Sequence, residues 1–108
     1  MTSPAQCRVL GRWRIFASDT WDEDYLDLVE HATINLGAEG RGELAVGCIQ
    51  ASLDLEYSRS VVFFRFAGFD EGDEVTGSGT AELGDDGSLE IELSFDNRDD
   101  VLLTGRRD

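Results

Sequence analysis

Val75-Thr76-Gly77-Ser78-Gly79-Thr80-Ala81-Glu82-Leu83, then Gly84-Asp85-Asp86-Gly87, then Leu89-Glu90-Ile91-Glu92-Leu93-Ser94-Phe95: this run decides the fold. Apolar or small residues hold every odd position on both sides of an Asp-Gly turn, and hydroxyls and carboxylates hold the even ones. A period of two with a turn between is an antiparallel hairpin with one dry face. The first of the two strands sends glycines and alanine inward, which leaves room for large rings on its neighbours.

The same alternation extends in both directions. Upstream, Val62, Phe64 and Phe66 face one way with Arg65 opposite, ending at Gly68, and an acidic loop runs from Phe69 to Asp73. Downstream, Asp96-Asn97-Arg98-Asp99-Asp100 turns the chain into a last strand from Val101 to Arg107. Near the N-terminus Gly11, Trp13, Ile15 and Ala17 share a face against Arg12 and Arg14, and Ala32, Ile34 and Leu36 do so against His31, Thr33 and Asn35. Between residues 42 and 57 the apolar residues switch from even positions (Leu44, Val46, Cys48) to odd ones (Leu53, Leu55, Tyr57). A parity switch marks a reversal, a bulge or a bent strand, here expected near Ile49-Gln50. Read as a reversal, it brings the count to eight strands.

Between the first two strands, Thr20 with Glu23 fits a capping box, and Trp21, Tyr25 and Leu28 recur at helical spacing, so a helix of about two turns is expected. The fold class is therefore all-β: an eight-stranded antiparallel up-and-down barrel with one short helix between strands 1 and 2. Closure removes the two bare edges of an open sheet, and an even count lets the last strand meet the first antiparallel.

Length and composition bound the rest. The chain has 108 residues, 41% of them apolar in short runs, enough for one domain (8–108) behind an N-terminal arm (1–7) that carries no signal-peptide pattern. A cytoplasmic location is the corresponding expectation. A net charge of −14 argues against nucleic acid and acidic membranes as partners. Cys7 and Cys48 lack metal-ligand spacing, and Cys48 reads as a small core residue.

Gly11-x-Trp13 at the start of the first strand, with Arg106 and Arg107 ending the last, resembles the signature of the calycin barrels, the lipocalin and fatty-acid-binding-protein type. The resemblance implies a Trp plugging the closed end of the barrel beneath an Arg from the final strand, and Arg107 has the right parity. The string from Trp21 to Leu28, the loop from Gly68 to Asp73 and the Asp99-Asp100 turn resemble a group of small uncharacterised bacterial proteins. That second resemblance implies one compact domain and no activity.

Alternating strand direction gathers the helix, the Ile49-Gln50 corner, the Asp70–Glu74 loop and the Asp96–Asp100 turn at the mouth opposite Trp13. Asp19, Asp22, Glu23, Asp24, Asp27, Asp70, Glu71, Asp73, Glu74, Asp96, Asp99 and Asp100 meet there against Arg98. The candidate ligand-binding residues are Trp21, Tyr25, Phe64, Phe66, Asp70 and Asp73; Gly11, Trp13 and Arg107 are assigned to barrel closure. No catalytic residue, metal ligand or cofactor is assigned: no loop carries Asp-x-Asp-x-Asp-Gly, and the lone His31 lies on an outward face away from any nucleophile motif. The expected function is non-catalytic binding of a small apolar or cationic ligand at this mouth. The alternative is an acidic module or inhibitor that engages a basic protein surface. Phe63, the one aromatic expected on the outer face, marks a candidate homodimer contact.

Overall fold

In the computed structural model, which describes residues 8–28 and 31–107, eight strands close into a single antiparallel barrel in chain order. They are β1 (Gly11–Ser18), β2 (Thr33–Leu36), β3 (Arg41–Val46), β4 (Ile49–Tyr57), β5 (Val61–Asp70), β6 (Asp73–Leu83), β7 (Leu89–Phe95) and β8 (Val101–Arg107). One short helix, α1 (Glu23–Leu26), lies between β1 and β2. No helix among the described residues is long and apolar enough to cross a membrane. The expected arm, residues 1–7 with Cys7, lies outside the described residues.

Closure rests on β1 and β8, where Trp13 opposes Arg107 and Ile15 opposes Gly105. The Arg107 guanidinium lies over the Trp13 ring, 4.1 Å from its centroid. It also donates to the backbone carbonyls of Leu10 and, at 2.9 Å, Arg8. The indole N–H donates to the Val9 carbonyl at 2.8 Å, so the fully buried ring carries no orphaned donor. Gly11 is required here twice over. Its φ of +120° disfavours any side chain, and a Cβ would stand 2.7 Å from an Arg107 nitrogen.

The interior is filled by paired shapes. Gly77 opposes Phe66 and Gly79 opposes Phe64 across β5 and β6, and a Cβ on either glycine would come within 2.6 Å of the facing ring. The Phe rings thus occupy the volume that β6 leaves by having no side chains. Leu36, Leu53, Ile91, Leu93 and Leu103 complete a core whose buried residues are all apolar among those described.

Three details depart from the sequence expectations. The parity switch in residues 42–57 is a two-residue hairpin at Gly47-Cys48, so Val46 and Ile49 both face inward; Cys48 sits in the turn and is not a core residue. The turn needs Gly47 because its φ is +56°. A β-bulge at Phe16 shifts the β1 register, so Ala17 opposes Thr104 and faces out while Ser18 opposes the buried Leu103. Phe16 itself lies outside the core, with the Arg106 guanidinium 4.3 Å from its centroid. Third, β5 and β6 run on to a two-residue turn, Glu71-Gly72, with both φ values positive. This left-handed turn suits a tight hairpin, and it leaves Phe69 on a strand and 56% exposed, a second outer aromatic beside Phe63.

Replacing the plug should be costly in proportion to the atoms removed. Trp13→Ala is expected to lose about 3–5 kcal/mol of unfolding free energy, and Arg107→Met about 1–2 kcal/mol, both measured by urea unfolding.

Candidate functional site

The mouth forms from loops that the alternating strands deliver to one end, and its centre is a stack of rings. Phe64 and Phe66, on the inner face of β5, are 6.4 Å apart by centroid; Phe66 meets Phe95 edge-on at 5.2 Å. Above them Trp21 meets Phe95 at 6.5 Å and Tyr25 at 5.2 Å. The four aromatic candidates are therefore brought together, but as one continuous column. Phe64 and Phe66 belong to the packed interior, and Trp21 and Tyr25 cap it half-exposed.

What holds the cap is local. Helix α1 is a single turn, shorter than expected, and its N-cap is Asp22: the Asp22 carboxylate accepts the Tyr25 N–H at 2.9 Å, and its carbonyl accepts the Leu26 N–H at 3.1 Å. Thr20 does not cap; its hydroxyl donates to Asp19 at 2.9 Å. Glu23, the other half of the expected capping box, has a side chain outside the described set. The inward-turned Ser18 accepts the N–H groups of Thr20 and Trp21 at 3.1 and 3.2 Å, which places the indole over the opening. Buried Leu26 accepts the Gly47 N–H at 2.9 Å, tying helix to hairpin. Tyr25 lies on Gly47 so closely that a Cβ there would fall 2.3 Å from its ring.

Around the rings, many carboxylates are engaged in structure. Asp19 accepts the Leu102 N–H at 2.9 Å and returns its own N–H to the Leu102 carbonyl at 3.1 Å. The Leu102 N–H is the chief reason the Asp19 carboxyl is held below its ordinary pKa, and the Thr20 hydroxyl adds to it. Asp27 accepts the Ala32 N–H at 3.0 Å and pairs with Arg14 at 2.8 Å. Its pKa is also lowered, first by that N–H; partial burial opposes the shift, and Arg14 supports it. Asp70 pairs with Arg98 at 2.8 Å, and Arg98 lies 5.7 Å from the Phe95 centroid. Asp96 accepts from Thr76 and lies 3.5 Å from Arg65. Arg98 is thus not the sole cation at this end, because Arg14 and Arg65 reach in from the outer face.

Asp73 opposes Asp70 across the β5–β6 hairpin and bonds to no other described residue. Asp24, Asp99 and Asp100 are likewise exposed. Among the described residues no group of three or more His, Cys, Asp or Glu side chains converges as a metal site. The Cys48 thiol donates to Glu71 at 3.1 Å, and that bond is the main cause of a raised pKa, so the sulfur is a poor nucleophile. Burial, then the charge of Asp70, raises the Tyr25 phenol. His31 is on the surface, 3.9 Å from Asp27. No protein-family model matches the chain, and no curated protein matches it.

Sequence reasoning did not find two residues that position this end and its opposite. Arg14 was legible as outward-facing but gave no sign of reaching Asp27. Tyr57 reads as one more inward residue, yet its hydroxyl donates to the Gly37 carbonyl at 2.5 Å and accepts the Gly40 N–H at 2.8 Å, fastening the β2–β3 turn at the closed end.

Two outcomes are expected. Gly47→Ala should displace Tyr25 and increase binding of an apolar fluorescent dye, at a stability cost of about 1–3 kcal/mol; made in a Tyr25→Ala background, the same glycine substitution should cost only the left-handed backbone, about 1 kcal/mol. Because Asp19 and Asp27 have folded pKa values below their unfolded ones, their contribution is complete above roughly pH 4 and is lost as pH falls through the folded values. Urea unfolding of Asp19→Asn/Asp27→Asn should accordingly show a shallower decline of stability between about pH 4 and pH 2 than the parent chain.

Proposed function

We propose that this chain is a calycin-type barrel of the kind found in the small bacterial proteins it resembles, cytoplasmic and non-catalytic, whose acidic mouth binds a basic protein surface. The observation that carries the reading is the ring column from Phe66 through Phe95 to Trp21 and Tyr25. It fills the space beneath the opening, so what the mouth presents to a partner is its cap and the surrounding charge. Asp19, Asp22 and Asp27 are occupied with backbone N–H groups, whereas Asp24, Asp73, Asp99 and Asp100 face solvent. An acidic patch of this kind steers a cationic partner and speeds its encounter.

A small cationic ligand is the second reading, favoured by the half-exposed Trp21 and Tyr25 rings beside Asp70: ring faces and a carboxylate together suit an ammonium group. Such a ligand would sit on the cap and need not enter the barrel.

The test uses a decalysine peptide as probe and two variants with equal charge removed. Asp24→Asn/Asp73→Asn/Asp99→Asn/Asp100→Asn strips the mouth; Glu39→Gln/Glu56→Gln/Asp85→Asn/Glu90→Gln strips positions towards the closed end. Calorimetry should show the mouth variant binding about tenfold more weakly and the control changed less than about threefold, with the parent affinity falling steeply between roughly 0.05 and 0.5 M salt. Equal losses in the two variants, or affinity that salt does not change, would rule the reading out.

A further inference from the structure

A second surface runs down the outside of the barrel from the β3–β4 and β5–β6 turns of the mouth, where β2, β3, β4 and β5, with Arg12 of β1 at one side, bend into a concavity of about 780 Å³. Strand register sets what lines it. One row crosses the sheet as Thr33, Ala45, Gln50 and Phe69, and the next as Asn35, Glu43, Ser52 and Ala67. From β2 to β5 is three strand spacings, about 14 Å, and the two rows stand about 7 Å apart along the strands. Alanines form part of the floor. Hydroxyls and carboxamides stand around it, and Phe69 presents an exposed ring at one side.

These polar groups have no structural employment. Among the described residues, the side chains of Thr33, Asn35, Glu43, Gln50 and Ser52 bond to no other residue. A carboxamide offers two donors and an acceptor in one plane, and a hydroxyl offers both roles. Four such groups and the acceptor carboxylate of Glu43, beside one aromatic face, match a ligand that is itself rich in vicinal hydroxyls on one side and carries C–H groups on the other.

Charge and topology exclude other occupants. Among the described residues, Glu43 and Glu71 line the concavity against Arg12, on a chain of net charge −14, a balance that disfavours phosphates and other anions. The barrel is closed, so a peptide finds no strand edge to extend, and a floor of alanine, serine and threonine offers no apolar trough for an amphipathic helix. We propose that this outer groove binds a short neutral oligosaccharide, with one sugar ring stacked on Phe69 and its neighbours hydrogen-bonded by Asn35, Gln50, Ser52 and Glu43.

The experiment screens the full chain against an array of neutral and acidic oligosaccharides, with maltotriose, cellotriose and N-acetylchitotriose also titrated while amide shifts are followed by NMR. At least one neutral saccharide should bind, with shifts concentrated in β2–β5 around Ala45, Gln50 and Ala67. Phe69→Ala and Asn35→Ala/Gln50→Ala should each weaken it about tenfold, whereas Phe63→Ala, an exposed ring outside the groove, should not. The four-carboxylate mouth variant should keep saccharide binding intact, which separates this site from the one proposed above. Affinity for none of the neutral saccharides tighter than about 10 mM, binding confined to acidic ones, shifts centred on Trp21 and Tyr25, or unchanged affinity in Phe69→Ala would each overturn the proposal. Amide spectra of the variants, which alter surface side chains only, report directly whether each remains folded.

Discussion

The pairing of β8 with β1 is the constraint on which the other features depend. Eight short strands of mixed length have no stable open form here, because one face is wholly apolar and both edges would be bare. At the closed end the seam is made secure by Arg107, which stacks on Trp13 while it bonds to carbonyls of the segment leading into β1. A guanidinium can do both because its donors lie in the plane and its face is free for an aromatic ring. Gly11 then follows from Arg107: the backbone must stand aside for the guanidinium, and only a residue without a side chain can do so.

Inside the seam, bulk and its absence alternate between neighbouring strands. β5 contributes Phe64 and Phe66, and β6 answers with Gly79 and Gly77. Neither strand would pack with a copy of itself. The same complementarity recurs at the mouth, where Gly47 yields its side-chain volume to Tyr25. With these rings on the axis, the surfaces proposed for recognition are the loops and the external face of the sheet, where sequence is less bound by packing.

Much of this was legible in the sequence because a period of two is hard to mistake when one face is dry. The β6–β7 alternation, the small residues of β6 and the strand count follow from parity; the Trp beneath a final-strand Arg is implied by the calycin resemblance, and parity chooses Arg107 for it. What escaped the reading were features that parity cannot express. The Phe16 bulge inserts one residue and turns Ala17 out and Ser18 in. Cys48 has the hydropathy of a core residue, yet the two-residue hairpin claims its position. Asp22 displaced Thr20 as the helix cap because the cap depends on where the chain leaves Ser18, a matter of three-dimensional path. The outer groove is built from residues spread over five strands and two hairpin turns and unremarkable one by one, so only their register reveals it.

The bond between Asp19 and Leu102 joins residues 83 positions apart, and the Trp13–Arg107 contact spans almost the whole chain. Contacts of such sequence separation are slow to form, since the intervening hairpins must be in place before the ends can meet. For that interval β1 and β8 are open edges on a chain rich in β-formers, the circumstance in which molecules pair with one another instead of with themselves. A net charge of −14 is present from the start, before any strand has formed. The acidity that marks the finished mouth therefore also keeps neighbouring chains apart while the barrel is still unclosed.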